Sequence, residues 1–317
     1  MRWAGWVHQE GGAVGHADGL MRRRGLPRAG RVRATRRLFP ASSPTAPQVR
    51  AAGAGRPGPG TRPGRRRGPG HWFDHFKWCL VRAAVTMAGS GEAGGAGMVL
   101  EVRRLHLASL RGVDGLEWPV HGFVVTHPGG AVLVDTGVGG PQEWLDDWRV
   151  VNRSVADALA GLDMTPGDID LVINTHLHFD HCGQNAVFPH AAFYVQRAEL
   201  DRARRESPEL YDWFGFAGAR FELLDGDADI LPGLSVIATP GHTAGHQCVV
   251  AHSADGAADL MIGDAAYTPR LYAGPADGKL PPGQASDPAA WRRSLGRIHA
   301  VSAARVHFCH HTDVVHG

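Results

Sequence analysis

Cysteine is scarce in this chain. Four occur in 317 residues, Cys79, Cys182, Cys248 and Cys309, and none belongs to a CxxC pair. That excludes a disulfide scaffold and implies free thiols, buried or half-buried, in a reducing cytoplasm. Long apolar runs are also missing. None approaches the ~20 residues that a spanning helix needs, so no membrane span is expected. There is no internal repeat. Acidic residues are rare in one region only: residues 1–97 hold 17 Lys and Arg against 4 Asp and Glu, whereas residues 98–317 hold 16 against 27. The formal charge of +2 conceals this split. Hydrophobic content of 43% is ordinary for a globular protein, and the length allows one or two domains.

The first 97 residues read as a disordered basic arm. "GRPGPGTRPGRRRGPG" (Gly55 to Gly70) has almost nothing to bury, and "RRRGLPRAGRVRATRR" and "GSGEAGGAG" are alike. Such an arm can bind nucleic acid or anionic lipid through charge, but no aromatic interleaving or nucleic-acid motif accompanies it, which argues against nucleic acid as a partner. Arg36-Arg37 is a twin-arginine pair followed by "LFPASSPTAP" where a clean apolar stretch is required, and "WCLVRAAVTMAG" is interrupted by Arg82. The preferred reading is an over-extended translation start, with the working protein beginning near Met87 or Met98, because a strand pattern starts abruptly at "MVLEVRRLHL".

Residues 98–317 suit one layered domain. "VLEVRRLHL", "HGFVVTH" and "AVLVDTG" read as strands, and Ser154 caps a helix through "SVADALAGL". In "TPGDID", Thr165 stands as N-cap, Pro166 at the first helical position and Asp168 three residues on. "DLVINT" is apolar on both faces, as in a strand buried within a sheet. "AAFYVQ" and "LSVIAT" are further strands, "RAELDRARRE" a solvated helix, and "QCVVAHSADGAADLMIGD" a hairpin turning near Asp255-Gly256. Asp287-Pro288 opens the helix "PAAWRRSLGRIHAV", and "ARVHFCHH" is a last short strand. The expected architecture is α/β, two sheets packed face to face with helices outside.

"NTHLHFDHCG" (Asn174 to Gly183) sets His176, His178, Asp180 and His181 within six positions, directly after a buried strand. In extended backbone, residues i and i+2 project from one face, so His176 and His178 can reach one ion, while Asp180 and His181 face a neighbouring position where the chain turns. A polar turn is the plainer explanation, but four ligand-type side chains at one strand end favour a metal site. Three other segments repeat the pattern of strand, turn and ligand: "ATPGHTAGH" with His242, where Gly241 permits a tight path; "LMIGDAAY" with Asp264; and "VHFCHHTD" with His310 or His311.

With "HLHFDH", "PGHTAGH", "GDA" and "FCHH" in this order, the sequence resembles the metallo-β-lactamase superfamily, and within it the N-acyl-homoserine lactone lactonases, through roughly all of residues 98–317. The resemblance implies an αββα sandwich with a dinuclear site at one edge. His176, His178 and His242 would bind the first metal, Asp180, His181 and His310 the second, and Asp264 would bridge them. Donors without thiolate suit Zn2+, with iron, cobalt or manganese able to occupy the same set. The family usually has aspartate after the last ligand histidine, where this chain has His311; the spacing from Phe308 favours His310. Asp135, in "LVDTG", corresponds to a residue that orients site histidines, and otherwise is an ordinary turn aspartate. His246 is expected beside the site and not as a ligand, His307 pointing away, Cys182 uncoordinated, and His190, His252 and His316 on the surface.

Two metals about 3.5–4 Å apart can hold a bridging hydroxide and polarise a carbonyl. The resemblance thus implies a hydrolase that opens N-acyl-homoserine lactones, a small-molecule lactone as partner, and allows a homodimer. Tyr267 matches a lactonase tyrosine that would donate to the developing oxyanion, and Asp180 would pass a proton to the leaving alkoxide. The pocket walls are expected from Glu199 to Phe216 and from Thr268 to Gly283, with "YDWF" either lining the pocket or packing in the core. Among rivals, classical β-lactamases generally lack a bridging carboxylate like Asp264. Glyoxalase II-type thioesterases usually continue into a helical domain, whereas this chain stops seven residues past His310. A non-catalytic metal-binding module with a nucleic-acid-binding arm is the alternative from another class.

Overall fold

The computed structural model describes residues 100–317 except 113, 114, 129, 254 and 255. The arm over residues 1–97, the starts near Met87 and Met98, Cys79 and the hairpin turn at Asp255 lie outside the described residues. Strands β1 (Glu101–Arg111), β2 (Glu117–His127), β3 (Gly130–Val134), the two-residue β4 (Val151–Asn152), β5 (Ile169–Ile173), β6 (Ala192–Gln196) and β7 (Arg220–Leu224) form one sheet, ordered β4-β1-β2-β3-β5-β6-β7. β1 to β3 are antiparallel, and β3, β5, β6 and β7 are parallel. A second sheet contains β8 (Ala228–Leu231), β9 (Leu234–Ala238), β10 (Gln247–His252), β11 (Ala258–Met261), β12 (Arg305–His307) and β13 (Val314–His316), ordered β13-β12-β11-β10-β9-β8.

Strand alternation produces the layers. Val132 and Val134 of β3, Leu171 and Ile173 of β5, and Phe123 and Val125 of β2 face Val236 of β9 and Val249 and Ala251 of β10 across the inter-sheet core. The opposite residues face outward: Leu133, Val172 and Phe193 pack with Val155, Ala158 and Leu159 of α2 (Val155–Ala160). On the far side, Cys248, Val250, Leu260 and Val306 pack with Ile298 of α6 (Pro288–His299). The central strands are thus covered on both faces, and β3, β5 and β6 read as nearly continuous apolar runs for that reason, unlike the edge strand β7. The order of layers is helix, sheet, sheet, helix, as the sequence implied.

Local signals act where expected. Ser154 Oγ accepts from Asp157 N at 3.1 Å, and Asp287 Oδ1 accepts from the amides of Ala289 and Ala290. At Thr165 the roles differ slightly: its N–H and its hydroxyl both donate to Asp168 Oδ2, closing a single 3-10 turn over Pro166–Asp168. Gly241 has φ +143°, and a Cβ there would stand 2.4 Å from the Trp291 backbone, so only glycine lets the loop after β9 pass under α6.

Two expectations need correction. β4, β7, β8 and β13 and the short α1 (Gln142–Asp147) add elements to those the sequence predicts, and β13 follows "ARVHFCHH", which is therefore not the last strand. "RAELDRARRE" is helical, as α3 (Arg197–Glu206), but it is not solvated all round: Glu199, Leu200, Arg202 and Ala203 are buried. Of the two alternatives for "YDWF", Phe214, in α4 (Tyr211–Phe214), follows core packing, in a cluster with Leu177, Cys182, Val195 and Leu200.

Candidate metal centre

β3, β5, β9, β11 and β12 all run out toward one margin of the sandwich, and the chain beyond each supplies polar groups there. His176, His178, His242 and Asp264 present ligand-type atoms that all lie within 4.8 Å of one another, and so do Asp180, His181 and His310. The structure therefore brings together all seven residues singled out in the sequence. His310 is in the group, whereas His311 turns aside and accepts a hydrogen bond from Asp313 N.

In the first group, His178 Nδ1 lies 2.9 Å from His176 Nε2 and 3.1 Å from His242 Nε2. Asp264 Oδ2 stands 3.2 Å from His242 Nε2 and 3.6 Å from His176 Nε2. In the second, Asp264 Oδ1 lies 3.2 Å from both His181 Nε2 and His310 Nε2. Asp180 Oδ2 completes it at 3.6 Å and 3.4 Å from those same two nitrogens. Asp264 thus divides its two oxygens between the groups. Donors around a tetrahedral cation with bonds of ~2.0–2.2 Å sit roughly 3.3 Å apart, which these separations bracket.

Hydrogen-bond accounting points the same way. Thr175 Oγ1 gives its single hydrogen to Asp135 Oδ2 at 2.7 Å, so it accepts from His176 Nδ1 at 3.1 Å and leaves His176 Nε2 with a bare lone pair. His242 Nδ1 donates to Gln284 O at 3.1 Å, which leaves its Nε2 in the same state. His178 Nδ1, between them, carries at most one hydrogen, so one of its two close contacts sets lone pair against lone pair. In the second group, His181 Nε2 and Asp264 Oδ1 are buried and make no hydrogen bond. Buried polar atoms are rarely left so, and a cation at each position would take up the electron pairs. The donor set and these orphaned atoms fit a pair of divalent cations.

The charges are arranged to match. Burial, reinforced by neighbouring imidazoles, holds His176 and His178 well below the ordinary imidazole range, so both are neutral. Burial also opposes charge on His181 and His310. The Asp264 carboxylate, with Asp180, outweighs it and raises both, so the carboxylates that would draw a cation to this position draw a proton to these imidazoles, which a cation would displace. Asp264 itself is kept ionised despite burial, by His181 first and then by His310.

A supporting layer orients these groups. Asp135, at φ +57°, accepts from Thr175 N at 2.8 Å and from His181 Nδ1 at 2.9 Å. His310 Nδ1 donates to Pro119 O at 2.9 Å. His246 stands behind the bridge: its Nε2 accepts from Asp264 N at 3.0 Å, and its Nδ1 meets Thr239 Oγ1 at 2.8 Å. Gln284 escaped the sequence reading. Its Nε2 donates to Asp264 O at 2.8 Å and its Oε1 accepts from Tyr267 N at 3.3 Å, yet it lies in a Pro- and Gly-rich loop with no spacing that flags it.

Tyr267 faces both groups, with ring centroids 5.8 Å from His242 and 5.5 Å from His310. Its hydroxyl donates to Gly283 O at 2.9 Å, and burial, helped by Asp264, holds its pKa well above the usual phenol value. His307 turns away to Asp259 Oδ1 at 2.7 Å, Cys182 Sγ donates to His178 O, and His190, His252 and His316 are exposed. Asp135, His181 and Cys309 form a third grouping, but its His181 and Asp135 atoms already bond each other, and burial pushes the Cys309 thiol up to about 12.

A cavity of about 120 Å³ adjoins the first group, lined by His178, Arg202, His242, Thr243, Gly283, Ala285 and Ser286. Of the two expected wall segments, only Arg202 and Gly283 reach it. A larger hollow of about 540 Å³ near Tyr272 and His299 touches none of the candidate ligands.

Residues 115–310 match the family model of the metallo-β-lactamase superfamily. An N-acyl homoserine lactonase from Bacillus sp. is 29% identical over 168 residues, covering 48% of this chain and 66% of that protein. The chain therefore spans just under two thirds of that relative's length. The N-acyl homoserine lactonase AttM of Rhizobium radiobacter is 30% identical over 193 residues, 53% of this chain and 72% of that one. A solved N-acyl homoserine lactone hydrolase, with N-hexanoyl-L-homoserine bound at its catalytic metal centre, has a TM-score of 0.56 at 22% identity, over 68% of this chain and 94% of its own. With the sandwich, its ligand margin and the family match over most of the described residues, the chain belongs to the metallo-β-lactamase superfamily.

Proposed function

We propose that this protein is a metal-dependent hydrolase that opens the lactone ring of N-acyl-homoserine lactones. The observation that carries the reading is the division of Asp264 between two groups of donors, Oδ2 toward His176 and His242 and Oδ1 toward His181 and His310. His176, His178, His242 and Asp264 would hold one divalent cation, and Asp180, His181, His310 and Asp264 the other. Zinc suits these nitrogen and oxygen donors. When bound, such a pair acidifies water and polarises a carbonyl oxygen. The lactonase relatives supply the substrate class. Three buried free thiols, Cys182, Cys248 and Cys309, are consistent with a cytoplasmic setting, and among the described residues no helix is long and apolar enough to cross a membrane.

The chain's own residues account for the proton and charge movements. Water adds to the lactone carbonyl carbon, the ring C–O bond breaks, and a carboxylate and an alcohol result. Tyr267 remains a neutral phenol, so it serves as a donor; it turns its hydrogen from Gly283 O to the carbonyl oxygen as negative charge develops there. Asp180 is placed to take the proton lost by water and deliver it to the departing alkoxide. Excluding solvent from the rear, Asp135, His246 and Gln284 hold the imidazoles and Asp264 in place.

Elemental analysis together with a pH-stat assay over a panel of lactones and thioesters tests this. Two cations per chain and acid release from homoserine lactones are expected. Protein that holds two cations but cleaves only thioesters would move it to another substrate class, and protein that takes up no cation would end the proposal.

A further inference from the structure

Glu199 is fully buried although it belongs to a helix rich in exposed charge, and Arg202, one turn on, is 6% exposed. The two form an ion pair, with Arg202 Nη2 2.6 Å and Nε 3.1 Å from Glu199 Oε1. The carboxylate also accepts two backbone hydrogen bonds from different loops. Leu177 N donates to Oε1 at 2.9 Å, and Gly245 N donates to Oε2 at 3.2 Å. Leu177 is the residue between His176 and His178, and Gly245 follows His242 in the loop leading to β10. The approach is close: a Cβ on Gly245 would stand 2.1 Å from Glu199 N. Burial alone would raise the Glu199 pKa, but Arg202, the Thr243 hydroxyl and Leu177 N–H lower it, so the group is a carboxylate.

Burying two ions is costly, and an apolar pair would fasten α3 to these loops without that cost. An apolar pair cannot accept two N–H groups at once from separate segments. We infer that the Glu199–Arg202 pair is a positioning device for the first cation position, clamping the His176–His178 segment to the His242 loop so that their imidazole nitrogens converge. This rests on the reading of those histidines as cation ligands. Neither residue is among the candidate ligands, although Arg202 also lines the cavity beside the first group. The second position is fastened separately, by Asp135 on His181 and by Pro119 O on His310. Asp135 also reaches the first position through Thr175, and His181 N donates to His178 O at 3.1 Å, so the clamp acts chiefly, and not solely, on the first position.

In Glu199→Gln the amide nitrogen confronts an N–H donor, and one loop loses its acceptor. The test is zinc titration against a competing chelator, with Co2+ absorption spectra, far-UV circular dichroism and His242→Ala and His310→Ala as references for each position. One affinity should fall about 10–100-fold, the scale of changes behind metal ligands. The other should fall less, and the remaining Co2+ spectrum should match that of His242→Ala. Two unchanged affinities in folded Glu199→Gln would overturn the inference, as would an equal fall in both. If the unpaired Arg202 prevents folding, Glu199→Gln with Arg202→Met removes both charges and is read the same way. Folded wild-type protein that binds no cation would instead overturn the ligand assignment itself.

Discussion

Asp259, Arg305 and His307 on β11 and β12 make one cluster of charged and imidazole groups; Asp264 and His310, just beyond the same two strands, belong to another. In the first, every contact is a satisfied bond: Arg305 Nε and Nη2 reach the two Asp259 oxygens at 2.6 and 2.5 Å, and His307 Nε2 lies 2.7 Å from Oδ1. In the second, the bare Nε2 atoms of His176 and His242 face Asp264 Oδ2 at 3.6 and 3.2 Å, acceptor against acceptor. The residue types are nearly the same. What separates an ion-pair cluster from a cation site is whether the lone pairs already have hydrogens to meet.

Substitutions that exchange these properties sharpen the contrast. Asp264→Asn should have the largest effect, because an amide cannot offer a charged oxygen to both groups. Loss of cation affinity at both positions should exceed the ~10–100-fold typical of residues behind the ligands, with nearly complete loss of turnover. Full cation content in that variant would break the comparison. Tyr267→Phe should lower kcat on the order of 10²-fold with cation content intact, since only a donor to the developing charge is removed. Unchanged kinetics would take the phenol out of the reaction.

The smallest effect belongs to the satisfied cluster. Asp259→Asn should cost about 1–3 kcal/mol of stability, the worth of hydrogen bonds to a charged group, while cation content stays the same. Burial alone would raise Asp259, but Arg305 and His307 hold it at about 2. The folded carboxyl is thus depressed relative to the unfolded value of about 3.9. Its stabilisation is complete above that value and is lost as pH falls toward about 2, because the unfolded chain takes up the proton first. Denaturant unfolding across this acid range should show a smaller loss in Asp259→Asn than in the wild type, the remainder coming from other depressed carboxyls such as Glu199.

Much of the ligand set was legible because each ligand follows a strand in a short, unusual string. The extended-chain period sets His176 with His178, and the turn sets Asp180 with His181, the same groupings in which the structure holds them. Glu199, Arg202 and Gln284 were not legible in the same way. Glu199 and Arg202 fall on the apolar stripe of α3 with Leu200 and Ala203, where the high charge content of the helix predicts solvent. Charged residues on a buried stripe were the available signal. β7 alternates over Arg220, Phe221, Glu222 and Leu223, a signal present in the sequence, whereas β8 and β13 are too short to show a period and neighbouring strands hold them.

By itself the sequence determined the layered α/β class, the order of the main strands and which side chains are chemically able to hold cations, since strand period and donor type are local properties. The tertiary structure decided the rest: which donors share a position, that His310 and not His311 joins them, and that a buried carboxylate on α3 ties two loops together. Those outcomes depend on lone pairs and N–H groups meeting across segments far apart in the chain, and such encounters exist only once the two sheets have closed on each other.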